Sequence, residues 1–321
     1  MLDGEGNWCE EKTDIANIAV SYFKELYSTS FPTRAMEVAD LIPRRVTREM
    51  NKDLTKDFQK EEVIQAIRQM HPTKAPSPDG MSAIFYQMYW DIIGDDVIKT
   101  ILNILNFNAP IAKLNKTNIA LIPKINNPTK ISEFRPISLC NVSYKIVSKI
   151  LANRLKPFLP SIFESQSAFV LGRLITDNVL VAFEIMHYLK KRKDGKEGYM
   201  AIKLDMSKAY DRVEWCFLEK IMSKMGFDNK WINLIMSSIN SVSYSVLING
   251  EAHGCITPTR GLRQGDPLSP YMFLLCTEGL MTLIVEAEKR RQISGISICR
   301  GSPTITHLLF ADDSVIYCKA S

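Results

Sequence analysis

Three carboxylates stand where an apolar chain should not leave them. Asp205 closes the run Y-M-A-I-K-L-D, and Asp312-Asp313 separates H-L-L-F-A from S-V-I-Y-C. Adjacent aspartates among Leu and Phe repel one another and lose hydration, which is costly without a cation to neutralise them. Mg²⁺ takes sites built from one or two carboxylates plus substrate phosphates. Three carboxylates could hold a metal pair roughly 3.5–4 Å apart, stabilising the attacking and leaving oxygens of an in-line phosphoryl displacement. An Asp-rich β-turn is the plain alternative, and D-D by itself does not decide between them.

Basic residues cluster elsewhere. Between Lys113 and Lys156, nine Lys and Arg stand against one acid, Glu133, a local charge of +8 in a chain whose net charge is +5. So lopsided a block would attract a polyanion, nucleic acid first. A solvated basic face is the other reading, and charge alone leaves both open.

The elements that must position these groups follow from periodicity. Residues 58–70 read as an amphipathic helix, followed by a Pro-rich ordered loop at 71–80 and helices at 82–90 and 95–107. Strands fit 117–124 and 135–139, and a helix fits 142–155, stopped by Pro157. A helix at 174–192 leads to the strand 199–206 that ends on the first carboxylate. Helices at about 214–225 and 229–240 precede V-S-Y-S-V-L-I-N-G, an alternating strand closed by the hairpin pair Asn249-Gly250. A basic, Gly-rich loop at 260–267 opens a helix at about 269–289, and the chain ends as strand, two aspartates, strand. This order predicts an α+β sheet covered by helices.

Length and composition exclude several classes. A chain of 321 residues is two domains or one lobed domain. With 46% hydrophobic and 23% charged residues it is neither disordered nor a disulfide scaffold. Its seven cysteines lie far apart without C-x-x-C, which suits reduced thiols in an intracellular protein and gives no zinc pattern. The longest apolar stretch, Tyr271 to Val285, contains Glu278 and falls short of the ~20 residues of a membrane span. The N-terminus carries no signal-peptide pattern, and membrane partners are not expected.

The surroundings of the carboxylates carry a resemblance. Asp205 continues as D-M-S-K-A-Y-D-R-V, the loop at 260–270 reads R-G-L-R-Q-G-D-P-L-S-P, and the pair sits in F-A-D-D. In this order they resemble the palm motifs of reverse transcriptases, above all LINE-type (non-long-terminal-repeat) retrotransposons of plants. K-A-P-S-P-D-G (74–80), L-I-P-K (121–124), F-R-P-I-S-L (134–139) and Q-S-A-F-V-L-G-R-L-I-T-D-N (166–178) agree, and the match covers about residues 60 to 321.

The resemblance implies roles residue by residue. Asp205 and Asp312 would be the main metal ligands, with Asp313 completing the acidic, catalytic cluster. Two Mg²⁺ ions would be the cofactors, Mn²⁺ an alternative. Tyr210 takes the steric-gate position, where an aromatic ring disfavours a ribose 2′-OH. Gln264 and Gly265 would lie against the incoming nucleotide, Lys124 and Arg135 would clamp its triphosphate, and Gly172-Arg173 would hold the template strand. Asp211 reads as structural, holding its turn.

The implied architecture is the reverse-transcriptase right hand, with an antiparallel palm sheet backed by helices. Residues 1–70 would be an N-terminal helical extension, 71–198 fingers and 199–321 a shortened palm, with no thumb and no endonuclease domain. The implied reaction is RNA-directed DNA polymerisation, with RNA template, DNA primer and dNTPs as partners. Two alternatives stand beside it: a catalytically inactive remnant that only binds RNA, and a group II intron-type or other cellular enzyme. Location is expected to be intracellular, nucleus or cytoplasm, and the oligomeric state is left open.

Overall fold

The computed structural model of the chain describes residues 1–163, 166–192, 198–299 and 301–320. Before the first strand lie α1 (Lys12–Leu26), α2 (Arg34–Asp40), α3 (Arg48–Thr55), α4 (Lys60–Arg68), α5 (Ala83–Met88) and α6 (Trp90–Phe107). Strands β1 (Lys116–Pro123) and β2 (Phe134–Cys140) are followed by α7 (Val142–Leu155), α8 (Leu159–Ile162) and α9 (Ile175–Lys191). After β3 (Gly198–Asp205) come α10 (Trp215–Met225), α11 (Asn229–Asn240), β4 (Ser243–Ile248) and β5 (Glu251–Ile256). The chain continues through α12 (Ser269–Lys289) to β6 (His307–Phe310) and β7 (Asp313–Ala320).

Local chemistry sets several boundaries. Asp228 caps α11 by accepting from the Lys230 amide at 2.8 Å, and Gly226, at φ +91, ends α10 in the left-handed conformation that glycine tolerates. Asn249 and Gly250, both at positive φ, make the tight β4–β5 turn.

The strands form two sheets. One sheet has the order β2-β1-β4-β5, with β1 parallel to β4 and the other neighbours antiparallel. The second, β3-β7-β6, is antiparallel throughout. The β1–β4 pair joins segments on either side of residue 198. Periodicity marks a strand but not its partner, and a parallel pair separated by so long a connection leaves no local signature.

Burial places the main core around α7, α10, α11 and α12, with Tyr144, Leu151, Met222, Trp231 and Leu274 fully enclosed. α12 is long and apolar enough to cross a membrane by length and composition. Half of that span is buried inside this core, where Arg45 lies 2.8 Å from Glu278. α9 covers one side of the small sheet through Ile185 and Tyr317, while Met200 and Ile202 of β3 remain 40% and 41% exposed.

Candidate active site

The β3–β7 ladder fixes the acidic residues. Its register sets Asp205 opposite Asp313, with Asp312 in the preceding β6–β7 turn. All three are exposed. Lys203 Nζ lies 3.1 Å from Asp313 Oδ1, and that contact pushes the lysine pKa up. Ala311, just before Asp312, has φ +52, a left-handed conformation unusual without glycine. Gln166 holds it there. This fully buried amide accepts, through Oε1, hydrogen bonds from Ala311 N (3.1 Å) and Ala168 N (3.0 Å).

Asp205 and Asp312 open into a cleft of about 840 Å³, which Lys124, Arg135, Tyr210, Gln264 and Gly265 also line. Arg135 pairs with Ile122 across the β1–β2 ladder, and Lys124 follows β1 directly, so both exposed cations project from one hairpin. The Tyr210 ring stacks on Phe273 with centroids 4.9 Å apart. Burial and the Asp312 charge push its hydroxyl pKa up to about 12.

The Gln264–Gly265 loop is tied from both sides. Gln264 O accepts from Ser138 N of β2 at 2.9 Å, and Gln264 Nε2 donates to Asp211 Oδ1 at 3.2 Å. Gly265, at φ +106, would set a Cβ only 3.4 Å from the Ser138 carbonyl, so the loop lies close on β2. Beneath it, buried Arg263 pairs with buried Asp266 at 3.0 Å. Tyr144 Oη donates to Asp266 Oδ2 at 2.8 Å, the Ser148 hydroxyl donates to Asp266 Oδ1, and Arg263 donates to Asn115 and the Ser238 carbonyl. Removing either charge would leave the other buried and unpaired, so the network specifies one loop conformation.

Asp211 is buried, and desolvation raises its pKa to about 6 against the opposing effects of Gln264, Lys208 and Lys124. Residues 122–321, well over half of the chain, match the family model described as reverse transcriptase (RNA-dependent DNA polymerase). The chain belongs to the reverse transcriptase family. It is 28% identical over 316 residues to a 149 kDa protein of transposon TX1 from Xenopus laevis, covering 97% of this chain and 23% of that protein. A Pol polyprotein of retrotransposable element R2 from Nasonia vitripennis is 28% identical over 244 residues, covering 75% of this chain and 22% of the polyprotein. An uncharacterized mitochondrial protein of Arabidopsis thaliana is 56% identical over 68 residues, covering 21% of this chain and 56% of that protein. The chain therefore spans under a quarter of two of these relatives and just over half of the third. Fold and family make it a reverse transcriptase domain, α+β in class.

Enzymes of this family use divalent metal ions. Among the described residues no three His, Cys, Asp or Glu side chains converge as a ready-made site. The donor chemistry nevertheless fits, because Asp205 and Asp312 offer hard carboxylate oxygens to one cleft and Mg²⁺ commonly completes its shell with water and substrate phosphates.

Gly172-Arg173 is not among the residues that line this cleft. Arg173 Nη1 donates to the Gln166 carbonyl at 2.6 Å, so in this structure the arginine fastens the segment that braces Ala311. Arg154, counted in the basic block, is also turned inward: its guanidinium meets Glu62 at 2.7 Å and the carbonyls of Leu54 and Asp57. Periodicity already placed Arg154 on a helix but could not identify a partner on α4. Sequence reading also passed over Tyr22, Phe23 and Leu26 of α1, and Lys208, which complete the cleft wall. A helix so far upstream carries no local signal that it lines the cleft.

Proposed function

We propose that this chain adds deoxynucleotides to a primer 3′-OH on an RNA template, in the setting of a LINE-type retrotransposon. One observation carries the reading: Asp205, Asp312, Lys124, Arg135, Tyr210, Gln264 and Gly265, dispersed over the sequence, line a single cleft. In this reading Lys124 and Arg135 grip the triphosphate, lysine as a point charge and arginine as a planar fork. Tyr210, braced by Phe273, presents a rigid ring beneath the sugar and so excludes a 2′-OH. The Gln264–Gly265 loop, locked by Arg263 and Asp266, supplies a fixed surface for the nucleotide. Asp205 and Asp312 would hold Mg²⁺, which when bound supplies charge stabilisation at the attacking and leaving oxygens. The protein's remaining contribution is positioning and charge neutralisation.

The test is primer extension with Mg²⁺ and dNTPs, comparing the wild-type chain with Asp312→Ala. A loss of roughly 10³-fold is expected, the several kcal/mol such charge stabilisation supplies. A second reading, an RNA-binding remnant, draws on the Lys203 ammonium held against Asp313. RNA binding without any extension, unchanged by Asp312→Ala, would favour it.

A further inference from the structure

The cleft has a wall drawn from outside the matched family region. α1 contributes Tyr22, Phe23 and Leu26 to the lining, whereas the family model begins at residue 122. Against Tyr22 stands Lys208, in the loop that follows Asp205, with Nζ 4.2 Å from the ring centroid. Lys208 lines the same cleft and forms no ion pair with any described residue.

Three features of this pair point to a ligand. First, the Lys208 backbone sits at φ +55, a left-handed conformation that costs a non-glycine residue energy and that clusters at functional sites. Second, the ammonium is half-buried on an aromatic face. A ring steadies the long stem while leaving the full positive charge available, whereas a carboxylate partner would compete with an anionic ligand for it. Third, the surrounding charge is incomplete. Burial lowers the Lys208 pKa, and Asp211 only partly opposes that shift, so the site favours an arriving anion.

We infer that Lys208, seated on Tyr22, is a third phosphate-binding cation of the cleft, beside Lys124 and Arg135, and that α1 is thereby part of the nucleotide site. The ligand class is the polyphosphate tail of a nucleoside triphosphate. That tail must enter a cleft bearing Asp205 and Asp312, whose charges repel it. Lys124 and Arg135 reach it from the β1–β2 hairpin, and Lys208 reaches it from the Asp205 loop. Identifying the ligand as a dNTP rests on the polymerase reading; affinity for the polyphosphate does not.

Calorimetry with inorganic tripolyphosphate tests this without turnover. Lys208→Ala should weaken binding on the order of tenfold, the value of one charge-assisted contact, and raise KM for dNTP by a similar factor with kcat little changed. Lys208→Arg should recover part of the loss. Tyr22→Leu should weaken binding in the same direction, Tyr22→Phe, which keeps the ring, should restore it, and Tyr22→Leu with Lys208→Ala should be no worse than Lys208→Ala alone. An unphosphorylated deoxynucleoside should lose nothing in any variant. Unchanged tripolyphosphate affinity in Lys208→Ala overturns the inference, and so does full additivity of the two losses. Lys208 is not a core residue, so its variant decides the matter even if Tyr22→Leu proves unstable. A chain that binds tripolyphosphate through Lys208 yet fails to extend a primer loses the polymerase reading and keeps this one.

Discussion

Asp205 faces Asp313 across the β3–β7 ladder, two carboxylates in directly paired positions on neighbouring strands. Like charges so placed destabilise a strand pair. Divalent ions that neutralise them should therefore stabilise the fold. At ten times its Kd, Mg²⁺ would contribute about 1.4 kcal/mol, a rise in Tm of roughly 2 °C for a chain of 321 residues. Thermal unfolding with and without Mg²⁺ at matched ionic strength measures this. Asp205→Asn should abolish most of the rise, and an equal rise in both proteins would place the ion elsewhere.

Asp313 and Asp312 should not be equivalent. Asp313 is engaged by Lys203 and is absent from the cleft lining, whereas Asp312 lines the cleft and raises the Tyr210 pKa. Asp313→Asn should accordingly lose less primer extension than Asp312→Asn. Lys203→Gln should leave stability nearly unchanged, since the pair is 68% and 62% exposed and screened by solvent. Equal losses for the two aspartate variants would contradict this ranking.

Gln166 should matter out of proportion to its distance from the chemistry. Its amide oxygen satisfies two backbone donors and fixes the residue before Asp312. Asn178 assists by donating to the Leu309 carbonyl at 2.9 Å. Gln166→Ala would leave those donors buried, at a cost of about 1–3 kcal/mol. Denaturant unfolding should show that loss. Steady-state kinetics should show a fall in kcat with KM for dNTP little altered, because the turn moves while the clamp of Lys124 and Arg135 does not. A change in KM alone would argue against a positioning role.

Much of this molecule was legible in the sequence, for reasons that particular residues make plain. The 142–155 helix was read correctly because its apolar spacing is regular and Pro157 ends it. Asn249-Gly250 announced its hairpin because only such residues fit that turn easily. The three aspartates were conspicuous because charge is rare at apolar strand ends. What remained hidden was long-range pairing: β1 beside β4, Arg154 against Glu62, Arg173 on Gln166, Lys208 over Tyr22. None of these leaves a local pattern, since each partner is ordinary in its own segment and acquires meaning only through tertiary packing.

Asp266 should prove more important to stability than to charge balance at the surface. It is 3% exposed at its side chain, paired with Arg263, and accepts from Tyr144, Ser148 and the Leu268 amide. Asp266→Ala would strand a buried guanidinium, with an expected loss of 3–5 kcal/mol by the usual cost of breaking a buried pair. Urea denaturation should register this, together with loss of nucleotide binding as the Gln264–Gly265 loop is released. A variant with wild-type stability would show that the loop is held by other contacts.

Asp211 gives the fold a pH dependence of unusual sign. Its folded pKa, about 6, exceeds the ordinary 3.8 because burial disfavours the carboxylate. The folded chain therefore binds more protons than the unfolded chain between those values, and this group's contribution to stability falls as pH rises through the window. By pH 7.5 the full penalty, on the order of 1–3 kcal/mol, is present. Carboxylates such as Glu62 and Glu214, whose pKa values are lowered, tilt the total curve the other way, so the informative quantity is a difference. Asp211→Asn keeps an amide oxygen for the Gln264 donor and removes the charge. Its stability relative to wild type, measured by urea unfolding, should increase from pH 4 to pH 7.5. A difference that stays flat across that range would mean that Asp211 ionises as an ordinary aspartate.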